Sequence, residues 1–306
     1  MNRRPFICFA WFFVAYLVAV ILFGAWVRIT GSGNGCGSHW PACNGAVIPP
    51  APAAQTVIEY THRLMSGLSV VFALILVVWA RRFGGAIFRA ALLALFFLIV
   101  EALLGALLVK AHLVVNDASV ARALVVALHL ANTLLLTASA VLVAWRAGAA
   151  PSPEAAAPIP ASRLLLGFAV VALMLTCMSG AVTALGDTVF PTQPALDGWL
   201  LTTIRFDASP AQHFLVRLRV LHPLVAVCAA MLVAGVLLRI VTGRTDAGPA
   251  QCKLAALAFA AVVFQTGLGF VNVLLAAPGW MQILHLLMAQ LVWISTWLVF
   301  LAARRA

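Results

Sequence analysis

Eight apolar runs of about twenty residues constrain the fold of this chain more than any other feature. They lie near 8–28, 57–80, 88–109, 120–145, 162–183, 214–240, 252–275 and 279–302. As an α-helix, rising about 1.5 Å per residue, a run of that length crosses a hydrocarbon layer of about 30 Å. The composition fits such a solvent: 64% of the 306 residues are hydrophobic and 9% charged, where soluble domains carry about 25% charged residues. An all-α polytopic membrane protein of eight transmembrane helices is expected. The first run follows Arg3 and Arg4 as a signal peptide would, but it lacks a convincing small-residue cleavage site and is long enough to span. It reads as a retained helix.

The formal charge is +11, yet the basic residues form no single soluble face interleaved with aromatics, so a nucleic-acid partner is not expected. They sort instead by side of the membrane. With the N-terminus inside, 12 of the 19 cations fall on the cytoplasmic side: Arg3, Arg4, Arg81, Arg82, Arg89, Arg146, Arg163, Arg239, Arg244, Lys253, Arg304 and Arg305. Both termini are then expected in the cytoplasm. The seven outer cations, Arg28, Arg63, Lys110, Arg122, Arg205, Arg217 and Arg219, exceed what a topology signal alone leaves there.

The chain also repeats itself. Leu128-His129-Leu130 in the fourth run recurs as Leu284-His285-Leu286 in the eighth, and His62 in the second answers His222 in the sixth. Glu101 and Gly105 in the third run correspond to Gln265 and Gly269 in the seventh. Four spans separate the copies, so both enter the membrane in the same sense, as a parallel repeat. The expected arrangement is two pseudo-symmetric parallel four-helix bundles, residues 1–146 and 162–306, joined by a Pro/Ala-rich cytoplasmic linker at 147–161.

His39, His112 and His213 fall in or beside outer loops, where a solvated side chain is the plain reading. The other four histidines each lie about five to nine residues inside an even-numbered span. At about 1.5 Å per residue this is a common depth of roughly 8–14 Å below the outer surface. An ionisable group inside a span is costly and usually functional. One such imidazole could simply hydrogen-bond a neighbouring helix; four at one level point elsewhere. Tetrahedral zinc usually gathers thiolates or carboxylates too, and the helix cysteines do not follow the repeat. A flat macrocycle between axial imidazoles fits, with His62 facing His129 and His222 facing His285, one haem per half. Haem propionates need cationic partners near the surface, and Arg63, Lys110, Arg122, Arg217 and Arg219 lie at that level, with snorkelling to lipid headgroups as the alternative.

The halves differ in their acids. Glu59 stands three residues before His62, on the same helix face, where the second half has Arg219. A carboxyl group beside one porphyrin only suggests proton-coupled chemistry there, with Glu59 as acid, base or relay. The alternative is an outer-end Glu that accepts from Arg28 or caps its helix. Glu101 is a second, lower-ranked acid. The first outer loop holds Cys36 and Cys43 among turn-forming residues on the oxidising side, which reads as a disulfide, either a structural staple or a redox-active pair. Cys8, Cys177, Cys228 and Cys252 read as small packing residues.

Taken together, Gly24-Ala-Trp-Val-Arg-Ile-Thr-Gly-Ser-Gly33, Trp40-Pro41 with Cys43-Asn44-Gly45, Glu59-Tyr-Thr-His62-Arg63 and the histidine-bearing fourth, sixth and eighth spans resemble the bacterial haem A synthases, related to the mitochondrial factor that makes haem A. The resemblance covers nearly the whole chain. It implies oxidation of one ring methyl of haem O, through an alcohol, to the formyl group of haem A. It also implies haem b held by His222 and His285, and substrate haem O between His62 and His129 with Glu59 serving the reaction. A bacterial inner membrane, an electron donor of unspecified kind, and haem O synthase and terminal oxidase assembly proteins as partners are implied as well. Two departures stand out: no second cysteine pair occurs in 184–213, and Glu101 stands where Gln is expected. The competing readings are a di-haem b electron-transfer protein with a quinol or soluble reductant partner, and a non-enzymatic haem carrier or chaperone.

Overall fold

The computed structural model describes residues 2–49, 52–148, 161–191, 200–245 and 247–303. Their helices are α1 (Arg4–Ile29), α2 (Ala54–Ala80) with a 3-10 turn Arg81–Phe83, α3 (Gly85–Lys110), α4 (Val120–Gly148), α5 (Ala161–Val189), α6 (Leu200–Ala208), α7 (Phe214–Leu218), α8 (Leu221–Val241), α9 (Pro249–Leu274) and α10 (Gly279–Ala302). Eight spans of 24 to 30 residues are long and apolar enough to cross a membrane: α1, α2 with its 3-10 turn, α3, α4, α5 from Arg163, α7 with α8, α9 and α10. The eight expected spans are all present. No strand occurs among the described residues, and a β-bridge joins Cys43 to Ala46. The linker expected at 147–161 lies, apart from its edges, outside the described residues.

Local chemistry sets several boundaries. Proline opens α1 and α9 at positions whose N–H has no helical acceptor. Gly84, at φ +107°, turns the end of α2 into α3 through a conformation that L side chains avoid. The sixth span is interrupted between α7 and α8 just before His222. Pro223 explains the break, because it has no N–H to give the carbonyl of Arg219 one turn back. The matched stretch of α2 contains no proline and runs through unbroken. The short α6, in the outer segment before α7, is an element the apolar runs did not predict.

In the first half α1 packs on α2, α2 on α3, α3 on α4 and α4 on α1; in the second half α5, α8, α9 and α10 neighbour one another in the same order. Each half has its own core, one around Phe6, Phe13, Leu76 and Val141, the other around Leu166, Val233, Leu237 and Val299. The halves meet where α4 packs on α5 and α10, and α10 on α1. Small residues along α4, among them Ala138, Ala140, Ala144 and Ala147, are buried and let neighbouring backbones approach. Two indoles fasten this seam: Trp293 Nε1 donates to the Leu134 carbonyl at 2.9 Å and Trp297 Nε1 to that of Ala138 at 3.0 Å. Large exposed apolar side chains such as Val78, Phe96, Leu103 and Leu257 belong to the lipid-facing surface of a multi-pass membrane protein.

Candidate functional site

Each of the four span histidines rests against a glycine of the preceding span. A Cβ built on Gly24 of α1 would lie 3.0 Å from Cε1 of His62 in α2, and one on Gly180 of α5 would lie 2.9 Å from Cε1 of His222 in α8. On Gly269 of α9 it would come within 3.2 Å of His285 in α10, and on Gly105 of α3 within 3.9 Å of His129 in α4. At Gly24, Gly180 and Gly269 a Cβ would force the ring or the helix to give way. The fourth contact is of ordinary length. His62 lies within electrostatic range of His129, and His222 of His285. The Nδ1 atoms of His62, His129 and His285 are buried without a hydrogen bond. Among the described residues no three His, Cys, Asp or Glu side chains converge on one point. Half-buried imidazoles in pairs, three of them with an uncommitted Nδ1, suit a group that takes one ligand from each side.

The surroundings of the four rings differ between halves. Ser179 of α5 lies 2.9 Å from Nδ1 of His222. Its repeat counterpart in α1 is Phe23, whose ring lies 6.3 Å from that of His62 at an interplanar angle of 14°. Glu101 Oε1 is 3.4 Å from Nδ1 of His129, near enough for an ion pair but not aligned as a hydrogen bond. Its counterpart Gln265 donates to the His285 carbonyl at 3.1 Å and lies 3.3 Å from His285 Nε2. Glu101 also accepts from Asn132 at 2.6 Å and from Thr133 at 2.5 Å. The second half has Met288 and Ala289 at those places, so the acid and the two groups that satisfy it occur together in the first half only.

Glu59 is buried, and both its oxygens have partners. Oε2 accepts from the backbone N–H of Cys36 at 2.8 Å, and Oε1 accepts from Arg63, from Nε at 3.1 Å and also from Nη2. Arg63 Nη1 in turn donates to the carbonyls of His39 at 2.5 Å and Ala42 at 2.7 Å. Cys36 and Cys43 are disulfide-bonded and fully buried. The pair Glu59 and Arg63 therefore clasps the disulfide loop over the N-terminal end of α2. Glu59 neither accepts from Arg28 nor caps α2, whose cap residue is Ala53.

Of the six outer cations singled out as propionate or structural candidates, four are engaged by protein acceptors. Arg63 is described above. Arg28 crosses to the other half, donating to the Ala184 carbonyl at 2.6 Å, to Thr188, and to Gln282 Oε1 at 2.9 Å. Arg122 is buried and donates to the carbonyls of Val115 and Asp117 at 2.8 and 2.6 Å. Arg219 pairs with Asp187 at 2.8 Å and with Asp207 of α6 at 3.8 Å, and donates to the carbonyls of Gly186 and Phe190. Burial pushes the Asp207 carboxyl above the usual carboxylate range while Arg219 pulls it down. Lys110 and Arg217 are exposed. Of the loop histidines, His213 caps α7, accepting from Leu215 N–H at 3.3 Å. Cys177 and Cys252 are partly buried, whereas Cys8 and Cys228 are exposed and do not serve packing as expected.

The glycines behind the rings, Ser179 and the Asp187–Arg219–Asp207 cluster had no assigned role in the sequence reading. The glycines could have been found there, because Gly24 and Gly180 are separated by the same 156 positions as His129 and His285.

Residues 8–297 match the family model for COX15-CtaA, described as cytochrome oxidase assembly protein. The chain belongs to this family. It is 45% identical over 300 residues to the protoheme IX farnesyltransferase of Thermus thermophilus, an alignment covering 96% of this chain and 47% of that protein. It is 32% identical over 218 residues to the heme A synthase of Exiguobacterium sibiricum, 68% of each chain, and 47% identical over 93 residues to that of Halalkalibacterium halodurans, 29% of this chain and 31% of that one. The COX15-CtaA chain thus spans about half the length of the Thermus relative, more than half of which has no counterpart here.

Proposed function

We propose that this chain is a haem A synthase, which oxidises a ring methyl of haem O to the formyl group of haem A for terminal oxidases. The observation that carries the reading is the twice-built site: two histidine pairs, each ring seated against a glycine of the neighbouring helix, in a COX15-CtaA chain with heme A synthase relatives. The farnesyltransferase name belongs to a protein about twice as long, and transfer of an isoprenoid has no evident place in sites made of paired imidazoles.

In this reading His222 and His285 hold haem b and His62 and His129 flank haem O. Bound haem supplies the redox chemistry. The protein's own contributions would be imidazoles that hold the group, an apolar surround, and proton handling at Glu59 of the first half. Of the propionate candidates, Lys110 in the first half and Arg217 in the second remain exposed for the propionates, while Arg28, Arg63, Arg122 and Arg219 build the frame. A second role for Glu59 is favoured by its contacts, since it also holds the loop through Cys36 N–H and Arg63. The halves form parallel bundles in a bacterial inner membrane, with both termini cytoplasmic and the disulfide loop outside. Haem O synthase and oxidase assembly proteins are the fitting partners, with electrons from a separate donor.

Cells supplied with haem O and this protein should accumulate haem A by mass spectrometry. Glu59→Ala should abolish that product while leaving haem b bound. Glu59→Gln, which can still accept from Cys36 N–H, separates the two roles: an intact loop without product assigns proton handling to Glu59. Unchanged haem O beside two permanently bound b haems in the wild-type protein would sink the synthase reading in favour of electron transfer.

A further inference from the structure

The two halves match at the histidines and at the glycines behind them, yet differ one position before the first glycine of each. Phe23-Gly24 in α1 corresponds to Ser179-Gly180 in α5, at the offset of 156 that also relates His129 to His285. This position faces the histidine of the next span in both halves, as the contacts of Phe23 with His62 and of Ser179 with His222 show.

Ser179 has one hydroxyl proton and two contacts. Its Oγ lies 2.8 Å from the Thr176 carbonyl, which can only accept, and 2.9 Å from Nδ1 of His222. Both contacts are hydrogen bonds at once only when Ser179 donates to Thr176 and accepts from the Nδ1–H of His222. That arrangement selects the tautomer with the proton on Nδ1 and presents the Nε2 lone pair as a ligand. It also fixes the ring about its axis, with Gly180 closing the space behind it. A ligating histidine whose other ring nitrogen is held in this way is oriented and made a stronger donor. Phe23 has no acceptor to offer, and Nδ1 of His62 is buried without a hydrogen bond. No hydrogen bond there selects a tautomer or anchors the ring.

We infer that Ser179 is a positioning residue that makes the porphyrin of the His222 pair a resident, and that Phe23 at the matched place leaves the porphyrin of the His62 pair exchangeable. The inference rests on the assignment of iron porphyrin to the two pairs. It gives a physical reason why two nearly identical sites can serve one as cofactor site and the other as a site that must take in substrate and release product. Loss of a group that orients a ligating histidine typically lowers affinity about 10- to 100-fold, and that is the size of effect expected.

The test uses the full chain purified with haem b bound and follows haem transfer to excess apomyoglobin by absorbance. Ser179→Ala should release haem about 10- to 100-fold faster than wild type, and Ser179→Thr, which keeps the hydroxyl, should restore slow release. Phe23→Ser, after loading the first pair with haem b, should slow release from that pair by a similar factor. His222→Ala, the control, should lose the resident haem. Release from Ser179→Ala at the wild-type rate, with His222→Ala empty, would overturn the inference and leave the haem assignment standing. Equal loss in the Ala and Thr variants would overturn it as well, since the hydroxyl would then be irrelevant. Should Ser179→Ala fail to fold, an unchanged release rate in Phe23→Ser overturns it. Retention of haem with an unaltered spectrum in His222→Ala would overturn the assignment itself, and the inference with it.

Discussion

An imidazole inside a span is useful as a ligand only where its ring is held, and in this chain glycines make the room in which the rings sit. Gly24, Gly180 and Gly269 leave room that a single methyl would fill. The tightest case predicts the clearest result. In Gly180→Ala the new Cβ would meet His222 Cε1 at 2.9 Å, so the ring must turn or α5 must move, at a cost of about 1–3 kcal/mol. Haem retention at that pair should fall about tenfold, read from the ratio of Soret to protein absorbance after purification. Gly105→Ala, whose Cβ would sit at an ordinary 3.9 Å from His129, should change haem content less than about twofold on the same reasoning. Equal effects at the two positions would refute the packing account. Glu101 follows related logic: its carboxyl group sits in the first half, where Asn132 and Thr133 are there to donate to it.

Among the elements, α4 and α10 carry the seam between halves, and their hold is specific as well as apolar. The carbonyls of Leu134 and Ala138 accept from Trp293 and Trp297 in addition to their places in the ladder of α4. Trp293→Phe removes one such bond and keeps most of the volume, so it should cost about 1 kcal/mol. Trp293→Ala adds a cavity at a residue that is 2% exposed and should cost about 3–5 kcal/mol. Thermal unfolding in detergent measures both, and equal losses would show that the hydrogen bond, not the packing, dominates. The α7–α8 break shows a different control, in which one ring, Pro223, interrupts the span beside the histidine it must present.

At the scale of the whole molecule the halves are joined at the C-terminal end of α1 by Arg28, which reaches Ala184, Thr188 and Gln282 on α5 and α10. Arg28→Leu strands these acceptors and should lower stability by about 2–3 kcal/mol, seen as a lower unfolding midpoint. Arg28→Lys should not restore it, because a point charge cannot serve acceptors spread on two helices as the guanidinium fork does. The proposed orientation has its own check. Reporters fused after residue 303 should be active only when cytoplasmic, and a cysteine placed at His39 should react with an impermeant thiol reagent from outside. The reverse pattern would invert the topology and place both histidine pairs near the inner face.

The sequence alone determined the number of spans, because twenty apolar residues in a row have few other uses, and the identity and common depth of the four histidines, because polar groups stand out in an apolar run. It also suggested the repeat, and with it the proposed pairing of His62 with His129 and of His222 with His285. It could not tell which face of each helix meets protein and which meets lipid, since both are apolar and the pattern that marks a buried face in water is missing. Hence the partners of Glu59 and Arg28, the seam of α4 with α10, the short α6 and the contrast of Ser179 with Phe23 appear only once the helices are packed. Hydrophobicity fixes how many helices there are; only tertiary contact decides which nitrogen of which imidazole is held.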